Sequence, residues 1–471
     1  PASGDSFDMS SQEIKMLEEV IAAKKNRTFG KVIVLLNTPT ALNFTDLMKY
    51  REDIDSCMWI GQGGWEGLNE VGRILAGTSV PSGHLPDTFA YSGMSAPAAV
   101  NSNYSYYTNA NDVGLKNIGW QGTYLVYAEN IYVGYKYYET RYEDAVLGRY
   151  NAGGTAGAVA SAKGWSYGEE VAFPFGYGAS YTQFAYSDFN CEAKGDDYEV
   201  TLTVTNTGES SGAEAVQVYI QKPYTEKEGV EQAAVNLCGY AKTAVLAPGA
   251  SEEVTIAVDG SAFRTYDAED KKTYIYEAGD YYITAAEDAH AAVNHILAAK
   301  GKTPANTNGV MDAAGNADLV WHTYNANEDD EKFSESEFTS NPITNRLDEA
   351  DWNKYSHSDG TKVTYLSRKD WQNTYPTAMP QLSITQEMAS DLGWNKEVEA
   401  DPADTMPLYE QPRQFNLIDL KGQDYDHSAW EQLLNQLSLE EQIELLGNAY
   451  HGTVTVASIN KPKDVAEDGP M

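Results

Sequence analysis

Residues 31–36, KVIVLL, and residues 57–77, CMWIGQGGWEGLNEVGRILAG, decide the fold of the N-terminal part of the chain. The first stretch is a continuous apolar run of the kind that is buried on both faces in a parallel sheet. The second begins with a short apolar run, enters a glycine-rich turn and continues as a helix that Gly77 caps. Its apolar residues recur at helical spacing: Trp65, Leu68, Val71, Ile74 and Leu75.

A helix is also predicted upstream of the first strand. In residues 10–23, SSQEIKMLEEVIAA, Ser10 is placed as the N-cap with Glu13 at the third helical position, and Ile14, Leu17 and Ile21 form one stripe. Helix, strand, helix, strand, turn and helix in this order indicate an α/β layer with a parallel sheet. Residues 91–170 show little periodicity except near residues 129–139, ENIYVGYKYYE, and we expect long loops in this region.

The pattern changes to alternation from about Phe184. Val200, Leu202 and Val204 share one face, and later strands repeat the pattern to about residue 286. About seven such strands in about 100 residues predict an immunoglobulin-like or fibronectin-like sandwich.

Two further stretches differ from the sandwich. Residues 300–345 are polar, include the acidic run NEDDEKFSESE, and are interpreted as a linker or an extended excursion, with disorder as the alternative. Residues 429–448, AWEQLLNQLSLEEQIELLGN, predict helix, with a second capping box at Ser438 and Glu441.

The composition narrows the classes of partner. The chain has 471 residues, a length typical of several domains, and a formal charge of −36. That charge argues against nucleic acid, because a polyphosphate needs clustered Lys and Arg. It fits a neutral ligand, although an acidic surface that only aids solubility is the commoner explanation. No run of about 18 apolar residues could span a bilayer. The three cysteines and seven histidines have neither disulfide nor metal-site spacing.

Some residues have a functional and a structural interpretation. The turn GQGG at 61–64 could face an anion, but a tight connection explains it better, and Glu66 and Glu70 are expected on a solvated helix face. A tyrosine cluster could stack on sugars, although packing in the core is the commoner use: Tyr132, Tyr135, Tyr137, Tyr138 and Tyr142. Asp468 stands in Asp-Gly-Pro, a tripeptide that by itself indicates a turn.

Longer segments carry a family resemblance. Residues 32–44, VIVLLNTPTALNF, and 59–89, WIGQGGWEGLNEVGRILAGTSVPSGHLPDTF, resemble the six-stranded α/β sandwich domain of glycoside hydrolase family 3. Residues 131–145, IYVGYKYYETRYEDA, and 171–184, VAFPFGYGASYTQF, resemble the closing motifs of that domain. Residues 237–258, LCGYAKTAVLAPGASEEVTIAV, and 276–286, YEAGDYYITAA, are similar to its fibronectin type III-like domain.

The resemblance implies a permuted order of domains. SLEEQIELLGNAYHG at 438–452 and KPKDVAEDGPM at 461–471 resemble the beginning of the family's TIM barrel, which usually comes first. The expected division is an α/β sandwich domain lacking its start at 1–183, the fibronectin type III-like domain at 184–290, a linker or excursion at 291–425, and the beginning of the (β/α)8 barrel at 426–471.

The activity that the resemblance implies is retaining hydrolysis of terminal β-linked glucose through a covalent glycosyl-enzyme, which needs two carboxyl groups roughly 5 Å apart. The family's nucleophile lies on a later barrel strand and its acid and base in a loop expected before Pro1, so no catalytic residue is assigned here. Glu13, Glu18 and Glu19 lie outside the required context, and Asp468 corresponds to the aspartate that binds glucose hydroxyls.

The chain alone is therefore expected to be inactive, with a neutral β-glucoside or oligosaccharide as substrate and no cofactor or metal. The sequence leaves open whether copies of the chain associate with one another or with the absent barrel portion. The alternative is a noncatalytic carbohydrate-binding or adhesive module, which would bind glucose without turnover.

Overall fold

The computed structural model describes residues 7–115, 122–392, 402–448 and 452–466. The chain divides into two compact units, one of residues 1–61 and 68–393 and the other of residues 62–67 and 394–471. No helix within the described ranges is long and apolar enough to cross a membrane.

The N-terminal part of the chain alternates helix and strand as predicted. The elements are α1 Ser11–Lys25, β1 Ile33–Leu36, α2 Thr45–Met48, β2 Ser56–Trp59 and α3 Gly64–Leu75. Strands β1 and β2 are parallel, with Ile33 beside Ser56 and Leu36 beside Trp59. The prediction of an α/β layer with a parallel sheet is confirmed.

Helix α1 begins at the predicted capping box. The Glu13 N–H donates to Ser10 Oγ at 3.3 Å, and the Ser10 N–H donates to Glu13 Oε2 at 2.7 Å, which satisfies two donors that the first turn leaves unpaired. Leu17 and Ile21 are buried in a small core whose other buried members are Val32, Phe44, Leu47 and Phe89.

One face of β1 is open, contrary to the prediction that this run is buried on both sides. Ile33 and Leu35 are 41 % and 39 % exposed. Their exposure has a simple cause, because β1 pairs with β2 alone in the described part of the chain and α1 covers only the other face. A two-stranded sheet of this kind is marginal without further packing.

Short strands and one long helix lie between α3 and the sandwich. They are β3 Phe89–Ala90, β4 Ser105–Tyr106, β5 Thr123–Tyr124, α4 Tyr135–Leu147, α5 Tyr167–Glu170 and β6 Val171–Phe173. The expectation of long loops over 91–170 is wrong for α4. This helix is buried on almost every side, including Glu139, Arg141 and Asp144, so its sequence lacks the one-sided apolar stripe of a surface helix.

The sandwich is confirmed as a fibronectin-like fold. Its strands are β7 Phe184–Lys194, β8 Asp197–Asn206, β9 Ala215–Gln221, β10 Asn236–Lys242, β11 Ser251–Val258 and β14 Gly279–Ala286, with a hairpin of β12 Thr265–Asp267 and β13 Thr273–Ile275. One sheet has the order β11-β8-β7, and β10, β9 and β14 belong to the other. Val200, Leu202 and Val204 lie in the core between them, as the alternation predicts.

Residues 291–425, which the sequence analysis interprets as a linker or excursion, add a helix and an edge strand to the sandwich. They contain most of helix α6 Ala289–Ala299, and strand β15 Val320–Asn325 pairs antiparallel with β14 as the edge of its sheet. In the acidic run, Asp329 bridges to Tyr276 through the backbone and Phe333 packs against the sandwich core. The polar composition of this stretch did not indicate these contacts, because an edge strand that buries only one face needs few apolar residues.

Residues beyond β15 continue with two short helices, α7 Trp371–Thr374 and α8 Gln386–Asp391. Trp352, Tyr355 and Leu382 form a core with Tyr107 and Tyr124, so this stretch packs on the loops around β4 and β5. The Tyr124 hydroxyl donates to the Pro380 carbonyl at 2.6 Å.

The second unit has its own small core. The helix predicted over 429–448 is present as two pieces, α9 Ala429–Leu434 and α10 Leu439–Gly447, because Ser438 begins α10 as an N-cap for Glu441. The buried side chains include Leu420, Leu433, Leu437, Val456 and Ile459. The described residues of this unit contain helices and no strand, so the beginning of a barrel stays a prediction.

A buried ion cluster joins the stretch around α7 to α4. The Arg368 guanidinium donates to both carboxylate oxygens of Asp144, at 3.1 and 2.5 Å, and to Glu143 Oε2 at 3.2 Å. Lys300, at the end of α6, donates to Glu143 Oε1 at 2.8 Å, and Trp371 Nε1 donates to Asp144 Oδ2 at 2.9 Å. Three separate chain segments, α4, the end of α6 and residues 368–371, therefore meet at two adjacent carboxylates.

We expect Arg368→Met to lower the free energy of unfolding by about 3–5 kcal/mol, because it leaves two buried carboxylates short of a cation. Urea denaturation measures the change. The matched control is Lys369→Met, since Lys369 is 59 % exposed and its Nζ lies 4.0 Å from Glu226. The control should stay within about 0.5 kcal/mol of the parent protein. Equal effects of the two substitutions would contradict the structural role of Arg368.

Candidate functional site

Asp468, the sugar-binding residue that the family resemblance implies, lies outside the described residues. The glutamates of α1 have structural partners at the surface. Glu13 is held by the cap, Glu18 accepts a hydrogen bond from the Tyr50 hydroxyl at 2.7 Å, and Glu19 lies 3.9 Å from Lys15 Nζ. These exposed carboxylates do not converge on a cavity.

The glycine-rich turn and the acids after it also have structural explanations. Gly61 and Gly64 have φ values of 54° and 58°, a conformation that favours glycine. Glu66 and Glu70 are exposed on α3, and Glu70 lies 3.5 Å from Arg73. The interpretation as a tight connection with a solvated helix face fits these positions.

The tyrosine cluster is core. Tyr132 and Tyr137 are fully buried, and Tyr138 and Tyr142 are almost so. Tyr135 stacks on Phe175 with the ring centroids 4.5 Å apart. These rings are therefore closed to a sugar, and the prediction of core packing is confirmed.

A histidine between two carboxylates is the arrangement most similar to an acid-base site. His290 Nδ1 lies 2.9 Å from Glu139 Oε2, and its Nε2 lies 2.9 Å from Asp312 Oδ1. The imidazole stacks on the Tyr167 ring at 3.9 Å, and the Tyr167 hydroxyl donates to Glu139 at 2.5 Å. No motif in the sequence indicates this group, because its members are separated by up to about 170 residues.

The charges around His290 make it a fixed cation. Burial would lower the pKa of the imidazole, but the carboxylates of Glu139 and Asp312 outweigh it and raise the pKa to about 10. Their hydrogen bonds to the ring favour the charged form. A histidine that holds its proton near neutral pH is poorly suited to act as a general base, so the group stabilises the packing of α6 against α4.

This cation makes the stability of the protein depend on pH. Because the folded-state pKa of His290 is raised above 6.5, its contribution is complete below about pH 6.5 and is lost as the pH rises through about 10. Raising the pH from about 6 to about 9 should therefore lower the free energy of unfolding more for the parent protein than for His290→Gln. Urea denaturation at both pH values tests this. Parallel losses in the two proteins would contradict it.

An apolar cavity lies at the carboxyl ends of the parallel strands. Its volume is about 360 Å³, and its wall includes Leu36, Met58, Trp59, His84, Phe173 and Tyr177. His84 Nδ1 lies 2.5 Å from the Gly176 carbonyl oxygen, and Trp59 Nε1 donates to the Thr38 carbonyl at 2.9 Å. Open α/β sheets bind their ligands outside this edge.

The loop after β1 anchors the residues before α1 near the same sheet edge. The Asn43 side chain donates to Asp8 Oδ1 at 2.6 Å, and the Asn43 N–H donates to the Phe7 carbonyl at 2.8 Å. Asn43 Oδ1 accepts from the Gly93 N–H at 2.6 Å. Asn43 thus fixes three segments, a role that its position in the sequence did not reveal.

Within the described residues, no group of three or more His, Cys, Asp or Glu side chains is arranged to hold a metal ion. The adjacent acids Glu143 and Asp144 are buried and paired with Lys300 and Arg368. Those two carboxylates therefore do not form an available nucleophile and acid pair.

Two stretches match known domain families. Residues 1–135 match the glycosyl hydrolase family 3 C-terminal domain, and residues 214–289 match the fibronectin type III-like domain. The second match lies within the sandwich described above. The two domains follow each other in the order that the sequence motifs predict.

Curated relatives cover more of the chain. A β-glucosidase of Ruminococcus albus is 31 % identical over 281 residues, which are 58 % of this chain and 24 % of the relative. β-Glucosidase A of Butyrivibrio fibrisolvens is 32 % identical over 294 residues, 59 % of this chain and 30 % of the relative. An exo-α-(1→6)-L-arabinopyranosidase of Bifidobacterium longum is 30 % identical over 305 residues, which are 64 % of this chain and 33 % of the relative. The chain spans about a quarter to a third of their length.

Solved structures include β-glucosidase 3B of Thermotoga neapolitana in complex with glucose, 25 % identical with a TM-score of 0.49 over 70 % of this chain and 36 % of that one. A β-glucosidase of Paenibacillus barengoltzii is 29 % identical, with a TM-score of 0.47 over 61 % and 27 %. From the domain matches, the chain contains a glycoside hydrolase family 3 C-terminal domain followed by a fibronectin type III-like domain, and it is similar to the β-glucosidases of that family.

Proposed function

We propose that this chain is part of a retaining, exo-acting β-glycosidase that hydrolyses terminal β-linked glucose. The observation that carries the proposal is the pair of domain matches in one chain, at 1–135 and 214–289. Two relatives named as β-glucosidases, 31 % and 32 % identical over 58 % and 59 % of the chain, support it. The substrate class is a neutral β-glucoside or oligosaccharide.

In this proposal the chain supplies structure and sugar binding, and the two catalytic carboxyl groups lie outside its 471 residues. A retaining mechanism needs those groups roughly 5 Å apart, one as nucleophile and one as acid and base. Asp468 binds sugar hydroxyls, which a carboxylate accepts well. Residues 426–471 begin the permuted barrel, and residues 291–425, which also add β15 to a sandwich sheet, lie between the barrel and the fibronectin-like domain.

The α/β part forms one wall of the proposed pocket. Two features support this: Asn43 ties the residues just before α1 to the loop after β1, and the apolar cavity opens at the same strand ends. The exposed side chains of Ile33 and Leu35 leave one apolar face of β1 available to a further packing layer. The fibronectin-like domain supports this wall through α4 and α6.

The decisive experiment compares this chain with the longest polypeptide that its reading frame encodes. The longer protein should release glucose from an aryl β-D-glucoside, with the β-anomer appearing first in the ¹H NMR spectrum, and this chain alone should not. Aryl α-L-arabinopyranoside, chosen because of the Bifidobacterium longum relative, is the competing substrate. A longer protein that binds glucose and turns over neither glycoside would instead favour the carbohydrate-binding module.

Asp468→Asn should lower kcat/KM of the longer protein by roughly 10- to 100-fold, because a hydrogen bond to a charged group contributes about 1.5–3 kcal/mol. Asp464→Asn is the matched control four residues away, since Asp464 is engaged locally by Thr453 Oγ1 at 2.6 Å. The control should keep its kcat/KM within about twofold. Equal losses in both variants would contradict a sugar-binding role for Asp468.

A further inference from the structure

A larger cavity, of about 1100 Å³, lies where the sandwich meets the start of α4 and the stretch that follows β15. Its charge differs from that of the whole chain, in which 69 acidic residues outnumber 33 Lys and Arg. The cavity wall carries five Lys or Arg and five Asp or Glu side chains. The wall is thus strongly enriched in cations relative to the rest of the molecule.

Three of those cations have no acidic partner among the residues that the structure describes. Lys272 and Lys354 both pair with Asp348, at 2.8 and 3.0 Å. By contrast, no carboxylate of the described chain lies within 4.0 Å of the charged nitrogens of the remaining three wall cations, Lys136, Lys222 and Arg264. Unpaired cations that share one concave wall are an arrangement that attracts an anion.

Lys222 is the wall cation whose charged form is most clearly disfavoured by its surroundings. It follows β9 and is half-buried, and its one acceptor within the described residues is the Arg264 carbonyl oxygen, at 2.5 Å. The pKa of the Lys222 ammonium is lowered to about 8. Burial is the main cause and the positive charges of Lys136 and Arg264 add to it, whereas the negative charge of Glu277 acts in the opposite direction. Glu277 is itself occupied, because Thr225 and Gln232 each donate to it at 2.9 Å. An anion beside Lys222 would relieve this repulsion.

The rest of the wall has the chemistry of a sugar site. Tyr127 is 70 % exposed, and Tyr266 and Tyr274 form an edge-to-face pair with centroids 5.3 Å apart. The Arg264 guanidinium lies 4.4 Å from the Tyr274 ring centroid, so an aromatic face and a cation adjoin. Glu269 also lines the wall, and a carboxylate can accept hydrogen bonds from hydroxyl groups.

We propose that this cavity binds an acidic saccharide, a sugar chain bearing one carboxylate, with Lys136, Lys222 and Arg264 around the anionic group and tyrosine rings beside the sugar. The choice of a saccharide rests on the proposed function, whereas the anionic group rests on the three cations. A single charge suits the site, because the overall charge of −36 repels a polyanion.

Isothermal titration calorimetry on this chain tests the proposal without any hydrolysis. The probe is the disaccharide β-D-glucuronosyl-(1→4)-glucose, and its neutral counterpart is cellobiose. We expect the acidic disaccharide to bind more tightly than cellobiose and its affinity to fall as NaCl is added. Equal affinities for the two disaccharides, or no binding of the acidic one at millimolar concentration, would overturn the proposal. The glycosidase assay on the longer protein has its own readout and can fail independently.

Variants locate the site. Lys222→Gln and Arg264→Gln should each lower the affinity about tenfold or more, and the half-buried Lys136→Gln provides a third variant if either fails to fold. The control is Lys163→Gln, an exposed lysine outside the cavity, which should leave the affinity unchanged. Unchanged binding in all three cavity variants would overturn the assignment of the anion site.

Smaller probes separate the anion from the sugar. Inorganic phosphate and free glucuronate should bind more weakly than the disaccharide, and Tyr127→Ala should weaken the disaccharide but not phosphate. Phosphate binding as tight as that of the disaccharide, or a disaccharide affinity that Tyr127→Ala leaves unchanged, would contradict the saccharide assignment.

Discussion

The ion cluster of Arg368 with Glu143 and Asp144 is the constraint on which the larger unit depends. Helix α4 is buried on almost every side and still carries charged residues, and moving an unpaired carboxylate out of water costs several kcal/mol. Such a helix can be buried only if other parts of the chain provide cations and hydrogen-bond donors for its carboxylates. Arg368, Lys300 and Trp371 supply them, so the sandwich-side helix and the stretch beyond β15 must dock together for α4 to be accommodated.

The same helix is fixed on a second side by His290. The imidazolium lies between Glu139 and Asp312. His290 stands at the start of α6, which directly follows strand β14 of the sandwich. The Arg368 ion cluster and the His290 ion pairs, together with apolar packing, therefore set the position of the sandwich against the α/β part. Because hydrogen bonds are directional, they specify this arrangement more narrowly than apolar packing would. A fibronectin-like domain held in this way can support a pocket wall built on the neighbouring layer.

Local patterns predicted the elements whose burial follows a simple period. The capping box at Ser10 and the alternation of Val200, Leu202 and Val204 needed only neighbouring residues, and both were found as predicted. Helix α4 could not be predicted in the same way, because the partners of its charged residues lie up to about 225 residues away. Strand β15 was missed for a related reason, since its pairing with β14 depends on tertiary context. The candidate site was less predictable still, because neither the side-chain contacts of Asn43 nor the convergence of the three cavity cations follows from a pattern of neighbouring residues.

The ion cluster also borders the large cavity. The Arg368 Nη1 donates to the Gln232 carbonyl at 3.0 Å and the Arg368 N–H donates to Glu231 at 3.2 Å, and both acceptor residues line the cavity wall. A wall fixed by buried charge-assisted hydrogen bonds loses little freedom when a ligand binds, and this lowers the entropic cost of association. Arg368 neutralises the buried acids, while Lys136, Lys222 and Arg264 line open space with no carboxylate partner in the described ranges. A cation that is not engaged by an acid keeps its charge available to a ligand, so the same part of the fold combines a wall fixed by buried ion pairs with charges that an anion can contact.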